Sequence, residues 1–204
     1  MHIVCADLES IFTPEIWINM AEKTGIKKLR LTTRDISDYD VLMKKRIGIL
    51  HENGLKLKDV TDVIASMNPL KGAVEFLDWL RSRIQVIIVS DTFVQFAEPL
   101  LEKLGRPTLF CNSLSIGHDG SIVGYNLRQN DGKRKSVLSL KNLKYDVIAI
   151  GDSYNDITML KEADTGILFD PPENLKNEYP EFQVSYNYDE LKNIIQETIP
   201  NNFV

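Results

Sequence analysis

The spacing of apolar residues changes character along this chain. In the first third they recur every three or four residues, the period of a helix with one buried face. The stretch TPEIWINMAEKTG predicts a helix with Thr13 as its cap, Pro14 at its first position and Gly25 as its stop. A second helix is predicted over 38–53, with Ser37 as cap and Gly54 closing it. A third covers 58–67, Pro69 breaks the chain, and 71–83 reads as an amphipathic helix carrying Val74, Leu77 and Leu80.

Elsewhere the apolar residues form short unbroken runs. Ile3, Val4, Cys5 and Ala6 open the chain as a buried strand, and VIIVS (86–90), TLFCN (108–112), DVIAIGD (146–152) and residues 165–169 read the same way. Helical segments at 93–104 (bent by Pro99), 132–143, 154–163 and 189–198 alternate with them, and 113–127 reads as a hairpin turning at His118-Asp119-Gly120. Continuous apolar strands separated by helices predict an α/β fold: a doubly wound parallel sheet covered on both faces. Residues 7–85 separate the first two core strands, although a crossover needs only about a dozen. The mostly helical 14–68 is therefore surplus to the sheet and is expected to form a cap over the carboxyl strand ends, where such sheets bind ligands. The core is then 1–13 with 69–204.

Composition narrows the function. A 43% hydrophobic and 26% charged content over 204 residues suits a globular domain with a sizeable core. The net charge of −5 argues against nucleic acid as a partner. No apolar run reaches the length of a membrane span, and MHIVCADLES lacks a basic leader, so a cytoplasmic location is expected. Cys5 and Cys111 sit in apolar runs and read as small buried hydrophobes. His2, His51 and His118 are scattered without zinc-site spacing, and neither GxxxxGK[ST] nor GxGxxG occurs.

The chemistry begins at VCADLES, where Asp7 and Glu9 follow a buried strand. If the backbone stays extended, positions i and i+2 share a face, and two like charges there repel unless a cation or proton intervenes. Three further stretches stand after strands or at helix starts: SDT (90–92), GKRK (132–135) and GDSYND (151–156). Together they suit phosphoryl transfer through an aspartyl intermediate. Asp7 is the candidate nucleophile. Asp7, Asp152 and the backbone carbonyl near Glu9 are candidate ligands for Mg²⁺, a hard cation that favours oxygen. Asp156 is placed to hold either a metal-bound water or the catalytic lysine. Glu9 is the candidate general acid and base. Ser90 and the Asp91 amide, read as opening a helix, are placed to hold phosphate oxygens. Lys133 supplies positive charge to the transferring group, with Lys135 as the nearby alternative.

Taken singly, each stretch has a plainer explanation: a capping aspartate, an N-cap cluster, a solvated basic turn. Their conjunction in this chain order does not. The motifs DLE, SDT, a lysine before a later helix, and GDSYND make the chain resemble the haloacid-dehalogenase superfamily of phosphatases over essentially its whole length. Within it, DLESIFTPEIW, TTRDISDYDVLMKKR, VSDTF and GDSYNDITML resemble the bifunctional phosphoserine phosphatase/homoserine phosphotransferase group. The resemblance implies magnesium dependence, phosphoserine as substrate and homoserine as an alternative acceptor. It also implies that Glu15 and Arg46 hold the amino and carboxylate groups of serine, and that Asn155 joins Ser90, Asp91 and Lys133 in binding substrate. An Arg–carboxylate and a Glu–ammonium pair make chemical sense of that assignment.

Two positions depart from the commoner superfamily pattern: Glu9 replaces an Asp, and Ser10 stands where Gly is frequent, in a loop that would favour a left-handed backbone. A phosphatase for another small metabolite, a receiver-like phosphoacceptor and a non-catalytic phosphometabolite-binding module are the alternatives. The receiver needs no cap and leaves GDSYND without a role.

Overall fold

The computed structural model describes residues 1–32, 35–36 and 38–199. Strand β1 (His2–Ala6) lies inside the sheet, flanked by β2 (Gln85–Phe93) and β5 (Asp146–Gly151), which pair with it in parallel. With β3 (Leu109–Ile116), β4 (Ile122–Asn126), β6 (Thr165–Phe169) and β7 (Gln183–Ser185), the seven strands run in the order β4-β3-β2-β1-β5-β6-β7. Every neighbouring pair is parallel except the β3–β4 hairpin. The doubly wound parallel sheet read from the apolar runs is the fold of the chain.

Side-chain alternation along β1 explains the layering. Val4 and Ala6 face one layer, which contains α4 (Ala73–Arg81) and α9 (Tyr188–Thr198). Ile3 and Cys5 face the other, built from α6 (Gly132–Asn142), α7 (Ile157–Glu162) and α8 (Glu173–Glu178). A buried parallel strand must satisfy both faces, which is why it reads as an unbroken apolar run.

Between β1 and α4 come α1 (Ile16–Thr24), a 3-10 turn at Lys27–Arg30, α2 (Tyr39–Glu52) and α3 (Leu57–Ala65). These helices form the cap. They do not close on themselves. Ile16, Met20, Leu50 and Ile64 share one apolar cluster with Phe93 at the end of β2, with Phe96 and Leu100 of α5 (Val94–Lys103), and with Leu114 of β3. Among the described residues no helix is long and apolar enough to cross a membrane.

Several expected boundaries shift for identifiable reasons. Thr13 is not the cap of α1: it is buried, its hydroxyl faces the Leu8 carbonyl at 3.4 Å, and the helix begins at Ile16, beyond Pro14. Gly25 does end α1, in the left-handed conformation (φ 74°). Ser37 lies outside the described residues. Asp38 caps α2, its carboxylate accepting from the amides of Asp40 and Val41 at 2.9 and 3.0 Å. Residues 90–92 do not open a helix; they lie within β2, whose pairing with β3 shifts register between Val89 and Phe93 before α5 starts at Val94.

Candidate active site

The carboxyl ends of β1, β2 and β5 bring Asp7, Ser90, Asp91 and Asp152 to one edge of the sheet. The Asp7 amide still donates to Ile150 O at 3.0 Å, so this residue is fixed to the last turn of the ladder. Its Oδ1 accepts the Leu8 amide at 2.8 Å. Beyond it the chain turns sharply rather than staying extended. Ser10 adopts φ 62°, its amide donates to Thr13 O at 2.7 Å, and Glu9 forms an isolated bridge with Thr13. Ser10 thus adopts the left-handed backbone that a Gly at this position would take with less strain.

Lys133, in the first turn of α6, is the cation of the site. Its Nζ lies 2.7 Å from Asp156 Oδ1, 2.9 Å from Asp7 Oδ2 and 3.7 Å from Asp91 Oδ2, with 3% of the residue exposed. Burial alone would lower its pKa, but Asp156, Asp7 and Asp91 outweigh that and hold it as an ammonium. It is Lys133, not Lys135, whose ammonium reaches these acids. Asp91 also accepts from Asn155 Nδ2 at 3.2 Å, which draws the GDSYND loop to β2.

Asp156 Oδ1 accepts a 2.7 Å hydrogen bond from Lys133 Nζ. Its other oxygen, Oδ2, accepts the amides of Asp152 and Ser153 at 3.0 and 3.2 Å. The fully buried carboxylate thus organises the loop as well as the lysine. Gly151 makes room for it: a Cβ at that position would stand 2.4 Å from Asp156 Cβ, closer than real Cβ atoms come.

Carboxylate oxygens of Asp7, Asp152 and Asp156 lie within 4.8 Å of one another. Burial pushes the Asp152 carboxyl up to about 7, helped by Asp156 and Glu15. Burial also raises Asp7 well above the ordinary range; Lys133 opposes this, while Asp156 and Asp152 add to it. Three acids around one ammonium leave an excess of negative charge. An all-oxygen donor set of that kind fits a hard divalent cation.

Glu9 departs from its expected position. Asp7 is crowded by Asp156 and Asp152, whereas the like charge beside Glu9 is Glu15. The turn at residues 8–13 carries the Glu9 carboxylate toward the cap, where Oε1 accepts the Ile16 amide at 2.6 Å. Glu9 therefore supplies the hydrogen bond at the start of α1 that Thr13 was expected to make. Burial first, then Glu15, pushes its carboxyl up to about 8, while Ile16, Arg46 and Lys133 pull it down.

Glu15 and Arg46 both stand near this carboxyl. Ser10 Oγ donates to Glu15 Oε1 at 3.5 Å. The Arg46 guanidinium is buried over the Trp17 ring, 4.5 Å from its centroid, and Nη2 donates to Leu31 O at 2.8 Å. Its Nε is buried without a hydrogen-bond partner. Burial brings the pKa down to about 10, and Glu9, Tyr39 and Glu15 act to hold the charge. Ser90 is buried, and its Oγ accepts the Thr92 amide at 3.2 Å.

Two residues of the site were not anticipated. Tyr39 Oη and Asn112 Nδ2 both donate to the Asp91 carbonyl, each at 3.1 Å. One comes from the cap, within the TTRDISDYDVLMKKR stretch but without a role assigned to it there, and the other from β3; only the tertiary fold brings them together.

Comparison with known proteins follows the same lines. The sequence profile of haloacid dehalogenase-like hydrolases matches residues 9–164. The chain is 59% identical over 192 residues to phosphoserine phosphatase ThrH of Pseudomonas aeruginosa, covering 94% of each chain. It is 58% identical to a phosphoserine phosphatase of Pseudomonas syringae pv. tomato, covering 94% of this chain and 81% of that one. Among solved structures, a phospho-aspartyl intermediate analogue of a phosphoserine phosphatase superposes with a TM-score of 0.76 at 22% identity, over 95% of this chain and 98% of that one. At that identity the likeness concerns the fold, and the fold is the one described above. Profile and sequence relatives together show that this chain belongs to the haloacid dehalogenase-like hydrolases.

Proposed function

We propose that the chain is a magnesium-dependent phosphomonoesterase that hydrolyses O-phosphoserine through an aspartyl-phosphate on Asp7, with 14–68 as the cap and 1–13 plus 69–204 as the core. The observation that carries this reading is the placement of Lys133 Nζ between Asp7 and Asp156, 2.9 and 2.7 Å away, beside an acidic cluster suited to a divalent cation. The names of the two Pseudomonas relatives support the choice of substrate.

In this mechanism an Asp7 carboxylate oxygen bonds to phosphorus as the bond to the serine oxygen breaks. Glu9, raised to about 8, arrives protonated at neutral pH and gives its proton to the departing alkoxide. As a carboxylate it then takes a proton from the water that attacks phosphorus, which frees phosphate and restores Asp7. Magnesium, held by Asp7, Asp152 and the backbone carbonyl near Glu9 with Asp156 beside them, would neutralise charge on the transferring phosphoryl group. Lys133 supports the same oxygens, along with Ser90 and the Asp91 amide, and Asn155 steadies Asp91. Arg46 offers its unpartnered Nε to the serine carboxylate, and Glu15 takes the ammonium. A homoserine hydroxyl replacing the water would yield phosphohomoserine in place of inorganic phosphate.

The deciding experiment measures phosphate release from O-phosphoserine with and without magnesium, beside an Asp7→Asn control and a panel of other phosphomonoesters. Magnesium-dependent release that favours phosphoserine and vanishes in the control is expected. Release from the panel but not from phosphoserine overturns the substrate assignment; no release from any compound overturns the mechanism.

A further inference from the structure

We infer that Tyr39 is a positioning residue that latches the cap to the phosphoryl-binding edge of the sheet and thereby sets the position of Arg46. The inference rests on the proposed function for its kinetic meaning but not for its structural basis.

Tyr39 begins α2, the helix that also carries Arg46. Asp38 pins that first turn through the amides of Asp40 and Val41. The Tyr39 ring meets Tyr125 of β4 edge-on, with centroids 5.8 Å apart, and the Tyr125 hydroxyl returns a 2.7 Å bond to Asp40. So oriented, the Tyr39 hydroxyl donates to the Asp91 carbonyl at 3.1 Å. The Asp91 carboxylate in turn stands 3.7 Å from Lys133 Nζ. A single hydrogen bond thus links the cap helix to the residue that flanks the catalytic lysine. Burial and the Asp91 charge raise the Tyr39 pKa, so the hydroxyl remains a donor at any working pH. A ligand held at one end by Arg46 and at the other by Asp91 and Lys133 fits only when those ends keep a fixed separation, and the latch spans that separation.

The test is Tyr39→Phe, which keeps the ring contact and deletes one oxygen. Hydrogen exchange of the ligand-free protein is read first. Loss of one hydrogen bond predicts exchange in the first turns of α2 faster by roughly three- to tenfold, with β1 and β5 unchanged. Unchanged protection in α2, or a uniform loss across the molecule, overturns the latch. Steady-state kinetics is read second. KM for O-phosphoserine is expected to rise roughly three- to tenfold while kcat moves by less than about twofold. A fall in kcat with KM unchanged overturns the positioning role. If the parent protein turns over no phosphoserine, the substrate assignment fails, and the exchange experiment still decides the latch.

Discussion

A Cβ placed on Gly151 would lie 2.4 Å from the Cβ of Asp156. The glycine of GDSYND is thus a space reserved for a buried carboxylate, the one that holds Lys133 and the amides of Asp152 and Ser153. Gly151→Ala should displace Asp156 and with it the lysine, costing on the order of 1–3 kcal/mol of stability and most of the activity. Urea unfolding and phosphate release, compared with the parent, measure the two effects.

Lys133 and Lys135 lie two residues apart in one helix, yet only Lys133 is surrounded by acids. Lys133→Met should lower kcat by about a hundredfold or more, as expected when a charge aimed at a transferring group is lost. Lys135→Met should change it by less than about twofold. Parallel steady-state assays of the two variants are sufficient.

Glu9 reaches the Ile16 amide at 2.6 Å, a distance its extra methylene makes accessible. Glu9→Asp should lose that bond and about 1 kcal/mol of stability. The shorter acid should also place water better and lower the ratio of phosphohomoserine to inorganic phosphate formed with homoserine present. Equal ratios in variant and parent would show that the glutamate does not favour transfer.

The acidic cluster predicts a linked response to magnesium and pH. Burial, Asp156 and Glu15 raise Asp152 to about 7, above its unfolded value near 4, so the folded state binds the extra proton. Its stabilising contribution is full below about pH 4 and is lost as pH rises through about 7. Metal-free protein should therefore melt at a higher temperature at pH 5.5 than at pH 8. Magnesium at about 100 times its Kd should add roughly 2.7 kcal/mol, a gain of roughly 5–10 °C in Tm at pH 8. Differential scanning fluorimetry of the parent and Asp152→Asn tests both; the variant should lose the response to metal.

Burial pushes the Cys5 thiol up to about 12 and the Cys111 thiol up to about 11. Thiolate is the reactive form, so neither should be alkylated by iodoacetamide in the folded protein at pH 7.5 within an hour, and both should be in denaturant. Intact-mass spectrometry reads the outcome.

The sheet was legible because a strand buried on both faces leaves an unbroken apolar run, and β1, β2, β5 and β6 each do. The short β7 and α8 were not anticipated, since three strand residues and six helical ones carry too little periodicity to register. The start of α1 was misplaced because Thr13-Pro14 has the form of a local cap, while the bond to the helix start arrives from Glu9, seven residues upstream of Ile16. Asp91 read as a helix opener because propensity does not foresee that pairing with β3 carries β2 on to Phe93. The pairing of Glu9 with Glu15, rather than with Asp7, depends on the left-handed turn at Ser10. Motifs supplied the identity of the charged residues; the turn decided which of them became neighbours.

The apolar cluster that runs from Ile16 and Leu50 into Phe93, Phe96 and Leu114 makes the inserted helices inseparable from the body they cover. Excising them would expose Phe93, Phe96, Leu100 and Leu114 of β2, α5 and β3 to water, so no truncated core should survive as a soluble catalyst. Exchange of this insert between relatives would have to carry the facing surface of α5 and β3 with it. The cap and that surface are one heritable unit, and changes in what the protein accepts must be written into both sides of the seam.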